Sequence, residues 1–182
     1  AIKIFSKYSL EIKMLFNGNY ISSNFLPLSY LPTWILITTP LIVIALFFIG
    51  FIFFLKKFFL RTVNIKENSI YEDFWRGKNE KKDFYVFFNF ILIFIYLVLS
   101  NTVLYTGWRQ VYFLHFFLIY ISAFGTYILT LKAIKKKLLL PILAFLILNN
   151  FAQIVKLHPY QSLYFNGLVG GENKSKFEID YW

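Results

Sequence analysis

Arg109 is the single Lys or Arg between residues 83 and 131, and it lies in YTGWRQVYF with Tyr105, Trp108 and Tyr112 around it. A guanidinium presents a planar fork of donors that grips a phosphate or a carboxylate through two parallel hydrogen bonds. A charge at a membrane boundary is affordable but rarely idle. The alternative is an interfacial anchor, with rings at head-group level and the arginine stem reaching up to water. A second group of candidates lies in KLHPYQSLYFNGLVGG, residues 156–171. Pro159 suits the first position of a helix, because its missing N–H would have no partner there anyway. The spacing predicts a short helix over 159–166 that stops at Gly167. On such a helix Tyr160 and Tyr164 are four apart and share a face, with Gln161 and Phe165 on the neighbouring stripe. That makes an aromatic ledge with the His158 imidazole and the Gln161 and Asn166 amides nearby, a surface suited to sugars or lipid head groups. An aromatic-belt helix would have the same composition. Asp180, between Ile179 and Tyr181 in FEIDYW, is an acid set among apolar and aromatic side chains in a stretch that alternates as an extended segment would. His115, about one and a half turns beyond Arg109, is read as a packed histidine with a hydrogen-bond partner.

Other chemistries are excluded by what the chain lacks. It has no cysteine, so disulfides, thiolate nucleophiles and cysteine zinc sites are out. Glycine-rich nucleotide loops, P-loops and His-Glu-x-x-His are absent, and two histidines cannot build a His-rich metal centre. No metal ligands are assigned. The net charge of +10 would suit nucleic acid, but the basic residues cluster beside apolar runs, where they act as topology signals and contacts to anionic lipid. Nucleic acid is therefore not an expected partner; membrane lipid is.

The elements that must position these residues are long apolar blocks. The chain has 182 residues, 58% of them hydrophobic, and a mean hydropathy of +0.59. A soluble domain of this size could not bury so much apolar surface. The blocks predict an all-α, polytopic helical membrane protein with four spans at about 32–55, 84–102, 110–131 and 138–155. Pro40 and Pro141 lie inside spans, where packed neighbours tolerate a kink. Residues 1–31 form an outer-face segment. Its first 16 residues are amphipathic at helical spacing, with Ile4, Phe5, Tyr8, Ile12, Leu15 and Phe16 on one side, which predicts a helix lying in the membrane surface and ended by the Asn17–Asn19 turn. Lysines and arginines crowd the connections at about 56–83 and 132–137, which places those loops inside and Arg109, the N-terminal segment and residues 156–182 outside. The 56–83 connection mixes both charge signs and reads as a solvated loop.

Three stretches, LFNGNYISSNFLPLSYLPTWILITTPL, LYTGWRQVYF and HPYQSLYFNGLVGG…FEIDYW, resemble successive landmarks in the C-terminal half of bacterial family-39-type membrane glycosyltransferases. These belong to the GT-C class, with protein O-mannosyltransferases and lipid A aminoarabinose transferases as relatives. The resemblance implies an enzyme of the bacterial inner membrane that moves a sugar from a polyprenyl-phosphate carrier to a glycan, lipid or protein acceptor at the periplasmic face. It implies a catalytic Asp on a first outer loop, which this sequence does not contain, so the chain is expected to be a fragment of a longer one. Through the resemblance, Arg109 with Trp108 and Tyr112 becomes the candidate to hold the carrier phosphate, and His158, Tyr160, Gln161, Asn166 and Asp180 become candidates for the sugar or acceptor cleft. No cofactor follows from the residues; a divalent metal enters only through the resemblance, in the full-length enzyme. Two rivals stay open: a non-catalytic transport or assembly module, and a membrane protein that binds lipid head groups.

Overall fold

The computed structural model describes residues 11–63, 77–100, 102–132, 136–159, 164–169 and 176–177. The chain divides into two units, one of Ala1–Pro40, Phe94–Tyr112 and Phe151–Trp182, the other of Leu41–Ile93 and Phe113–Asn150.

The first unit opens on a β-hairpin where a helix was expected. β1 (Lys13–Phe16) pairs antiparallel with β2 (Asn19–Ser22), Lys13 facing Ser22 and Phe16 facing Asn19. Asn17 and Gly18 make the two-residue turn with φ of 51° and 82°. Both are left-handed, the backbone that Asn-Gly supplies and that matches the twist of the strands it joins. Burial then follows a period of two: Met14 and Phe16 point inward while Lys13 is exposed. Leu15 and Phe16, placed on one face by helical spacing, thus lie on opposite faces. Beyond the strands, Ile12 and Ser23 close the ladder: the Ser23 N–H donates to Ile12 O at 2.9 Å and the Ile12 N–H to Ser23 Oγ at 3.0 Å. The remainder of the expected surface helix, residues 1–10, lies outside the described residues.

α1 (Tyr30–Thr38) and α2 (Leu41–Val63) replace the single first span. Thr39 between them is extended, with φ −94° and ψ 137°, the conformation forced on a residue that precedes proline. Pro40 thus divides the apolar block and does not merely kink it. At nine residues, α1 is about 13 Å long, far short of the ~30 Å hydrocarbon core. Phe16, Tyr30, Trp34, Phe165 and Phe177 pack around it, with ring centroids 5.1 to 6.4 Å apart in tilted and edge-on pairs.

Among the described residues, three helices are long and apolar enough to cross a membrane: α2, α3 (Lys78–Leu99) and, within α4 (Leu114–Lys132), the stretch Leu114–Leu131. A 3₁₀ turn, Arg109–Val111, precedes α4, so this helix starts later than its apolar run. α5 (Lys136–Lys156) keeps Pro141 inside it, and its apolar part, Leu140–Lys156, is shorter than the other three. The molecule is therefore mostly helical, with a small hairpin that the all-α expectation lacked. α2 and α3 are joined by phenylalanines: Phe47 on Phe90, Phe51 on Phe87 and Phe54 stacked on Phe87 at 3.6 Å. α2 and α4 run parallel and meet at Gly50 and Gly125. A Cβ on Gly125 would lie 2.1 Å from Leu46 O, and one on Gly50 would lie 2.3 Å from Ile121 O. Small residues let the two backbones touch. One turn before Gly125, the Ser122 hydroxyl lies 2.9 Å from Val43 O on α2 and 2.7 Å from Leu118 O on its own helix.

Candidate functional site

Two of the expected outer-face residues, Asn166 and Trp108, meet the carboxyl end of α1. A helix leaves its last carbonyls without intrahelical partners, and here Pro40 worsens the deficit, since residue 40 has no N–H to offer Leu36 O. Asn166 makes good the loss. Its Nδ2 donates to Leu36 O at 2.5 Å and to Thr39 O at 2.6 Å, and its backbone N–H donates to Ile37 O at 2.9 Å. Asn166 Oδ1 accepts the Leu168 N–H at 2.9 Å. The side chain is 4% exposed, and both amide hydrogens and the amide oxygen are engaged by backbone. Asn166, expected to line a cleft, is instead the lock that fixes the tail to α1. The short helix expected over 159–166 is not formed at its described end, since 164–166 are non-helical.

The same turn of α1 holds Trp108. Its Nε1 donates to Thr38 Oγ1 at 2.9 Å, and that hydroxyl donates to Trp34 O at 2.7 Å. Thr106 and Gly107 just before it are both left-handed, with φ of 53° and 75°. Gly107 lies flat against the Trp34 indole, where a Cβ would come within 3.4 Å of the ring. Trp108 is 7% exposed, so its indole is scaffold and not a belt residue. What this scaffold presents is the next residue. Arg109 is exposed at the start of the 3₁₀ turn, and Tyr112, 57% exposed, sets its ring 5.2 Å from that of Trp108. An exposed arginine on a fixed base is an arrangement that can receive a phosphate.

His158 is exposed just past α5, its N–H donating to Val155 O at 3.1 Å, and the His158–Pro159 peptide is cis. Burial pushes the Tyr164 phenol above its ordinary pKa, so it stays a neutral hydroxyl. His115 is half-buried in α4. Tyr160, Gln161 and Asp180 lie outside the described residues.

A second polar cluster lies where a solvated loop was expected. Residues 56–63 and 78–83 are helical, extending α2 and α3. They bring Lys57 Nζ to 2.7 Å and Arg61 Nη2 to 2.6 Å from Glu80 Oε1. Glu80 is 7% exposed; burying a carboxylate so deeply is costly unless opposite charges pair with it. Tyr120 of α4 donates to Asp83 Oδ1 at 2.7 Å. The legible signal was Lys57 and Arg61, four apart on one helical face, which is the spacing that lets both reach one acid. Among the described residues no group of three or more His, Asp or Glu could hold a metal ion.

A scan against protein-family models, a search of the curated proteins and a search of the solved structures found no match to the chain.

Proposed function

We propose that the chain is part of an integral-membrane glycosyltransferase that moves a sugar from a polyprenyl-phosphate carrier to an acceptor at the outer face, with Arg109 holding the carrier phosphate. The observation that carries this reading is the convergence of three separate segments. Trp34 and Thr38 come from the first stretch that resembles the family, Gly107 and Trp108 from the second, and Phe165 and Asn166 from the third. In this structure they pack into one unit around the end of α1. In the proposed reaction the acceptor hydroxyl oxygen bonds to the anomeric carbon as the bond from that carbon to the carrier phosphate breaks. The hydroxyl proton passes to the acid that the resemblance places upstream. The charge left on the phosphate is what Arg109 stabilises, through hydrogen bonds that strengthen as the charge develops.

α5 serves as a fourth span in this reading. Its 21 residues measure about 32 Å, and Ile142, Phe145, Leu148 and Phe151 are exposed around it, as on a helix that faces lipid. Four crossings put Arg109 outside and the Glu80 cluster inside. The absence of cysteine makes this easy to test. In intact spheroplasts, Gln110→Cys is expected to react with a membrane-impermeant maleimide and Lys82→Cys only after lysis; the reverse pattern would remove the phosphate role. The activity test is Arg109→Ala in the full-length protein, expected to lower sugar transfer from a polyprenyl-phosphate donor at least tenfold, about the value of one charged hydrogen bond. Transfer near wild type would sink the assignment.

A further inference from the structure

The inner ends of α2, α3 and α4 enclose a cleft of about 840 Å³. Its lining combines apolar side chains, Phe53, Phe124 and Ile128, with the charged Lys56, Lys57, Glu80 and Asp83. Such a cleft, within the range of small-molecule sites, suits an amphiphile whose chain lies along the apolar side chains and whose head lies at a lysine. The sign of the head group follows from the charges. The cleft's own lining holds two cations, Lys56 and Lys57, and two carboxylates, Glu80 and Asp83; the described ends of α2 and α3 around it add Arg61, Lys78, Lys81 and Lys82. Glu80 is already taken by Lys57 and Arg61, and Asp83 accepts the Tyr120 hydroxyl. Lys56 is exposed on the cleft, and no carboxylate pairs with it among the described residues. Basic pockets between spanning helices are where anionic head groups bind.

We propose that this cleft binds an anionic phospholipid of the surrounding leaflet, with its phosphate at Lys56 and its first acyl carbons along Phe53, Phe124 and Ile128. The inference requires that the three helices cross a bilayer; it does not require that the protein transfers sugar. The lipid would brace α2, α3 and α4 at the end where their charges otherwise repel.

The test is native mass spectrometry of the full-length protein titrated separately with phosphatidylglycerol, phosphatidylethanolamine and inorganic phosphate. Phosphatidylglycerol is expected to be retained about fivefold more strongly than phosphatidylethanolamine, the effect of one well-placed lysine. Lys56→Gln should erase that preference, and Lys56→Arg should keep it. Ala123→Trp, which fills the cleft from its exposed rim without changing charge, should reduce retention of both lipids. Equal retention of the two lipids by the wild type, a preference that survives Lys56→Gln, or inorganic phosphate binding as tightly as phosphatidylglycerol would each overturn the proposal. The readout is lipid retention, so loss of the transferase reading leaves it standing.

Discussion

Gly125→Ala is expected to cost about 3 kcal/mol or more, at the top of the range for overpacking. The added carbon would sit 2.1 Å from Leu46 O and 2.9 Å from Gly50 N, and neither backbone atom can rotate away. α2 and α4 must separate, and the Ser122 hydroxyl then loses its contact with Val43 O. Gly50→Ala meets Ile121 O at 2.3 Å from the opposite side and should cost about as much. The double variant should cost clearly less than both together, because one separation relieves both clashes. Ala45→Leu, on the exposed side of α2, is the control and should change little. Thermal unfolding in detergent measures all four. A Gly125→Ala protein as stable as wild type would mean that the helices do not cross this closely.

Asn166→Leu is the second large effect. It removes donors from Leu36 O and Thr39 O and the acceptor of the Leu168 N–H. Buried backbone groups left unpaired cost about 1–3 kcal/mol each, so a total near 4 kcal/mol is expected. Asn166→Asp should be at least as damaging despite its matching shape, since it turns a carboxylate oxygen toward two carbonyl oxygens. The cause can be separated from mere loss of volume. Pro40→Ala gives residue 40 an N–H that can serve Leu36 O. It should therefore stabilise the Asn166→Leu background more than it stabilises the wild type, a coupling that a double-mutant cycle reads directly. Additive effects would show that Asn166 does not answer the proline's missing donor.

The apolar blocks disclosed the three helices of spanning length, because twenty-odd uncharged residues can do little else. Where the reading failed, the deciding contacts were either very local or very distant. The hairpin turned on Asn17 and Gly18, which stop a helix and reverse a strand equally well, and nothing within KMLF disfavours a helix enough to choose between them. Pro40 was visible, but its consequence depended on whether neighbours would repair a broken helix or accept two. The burial of Trp108 was hinted at only by Gly107, whose lack of a Cβ lets the Trp34 ring approach. Glu80 sat in a stretch of mixed charge, and average composition hides the one acid that two cations reach. Arg109 was singled out by its isolation, and the structure places it exposed on a fixed base; the base itself, built from α1 and Asn166, could not be read from residues so far apart.

The bonds from Asn166 to α1 span 127 and 130 residues of chain. A protein made from its N-terminus delivers α1 long before the residue that completes it. Throughout synthesis of the intervening helices, the carbonyls of Leu36, Ile37 and Thr39 must rely on water or on transient partners. Loop-closure entropy grows only slowly with length, so the long wait adds little to the final cost and a great deal to the ordering of events. The first unit cannot close until residue 166 has emerged. A ribosome halted before that point leaves a nascent chain whose long apolar helices are made but whose Arg109 has no finished base to stand on.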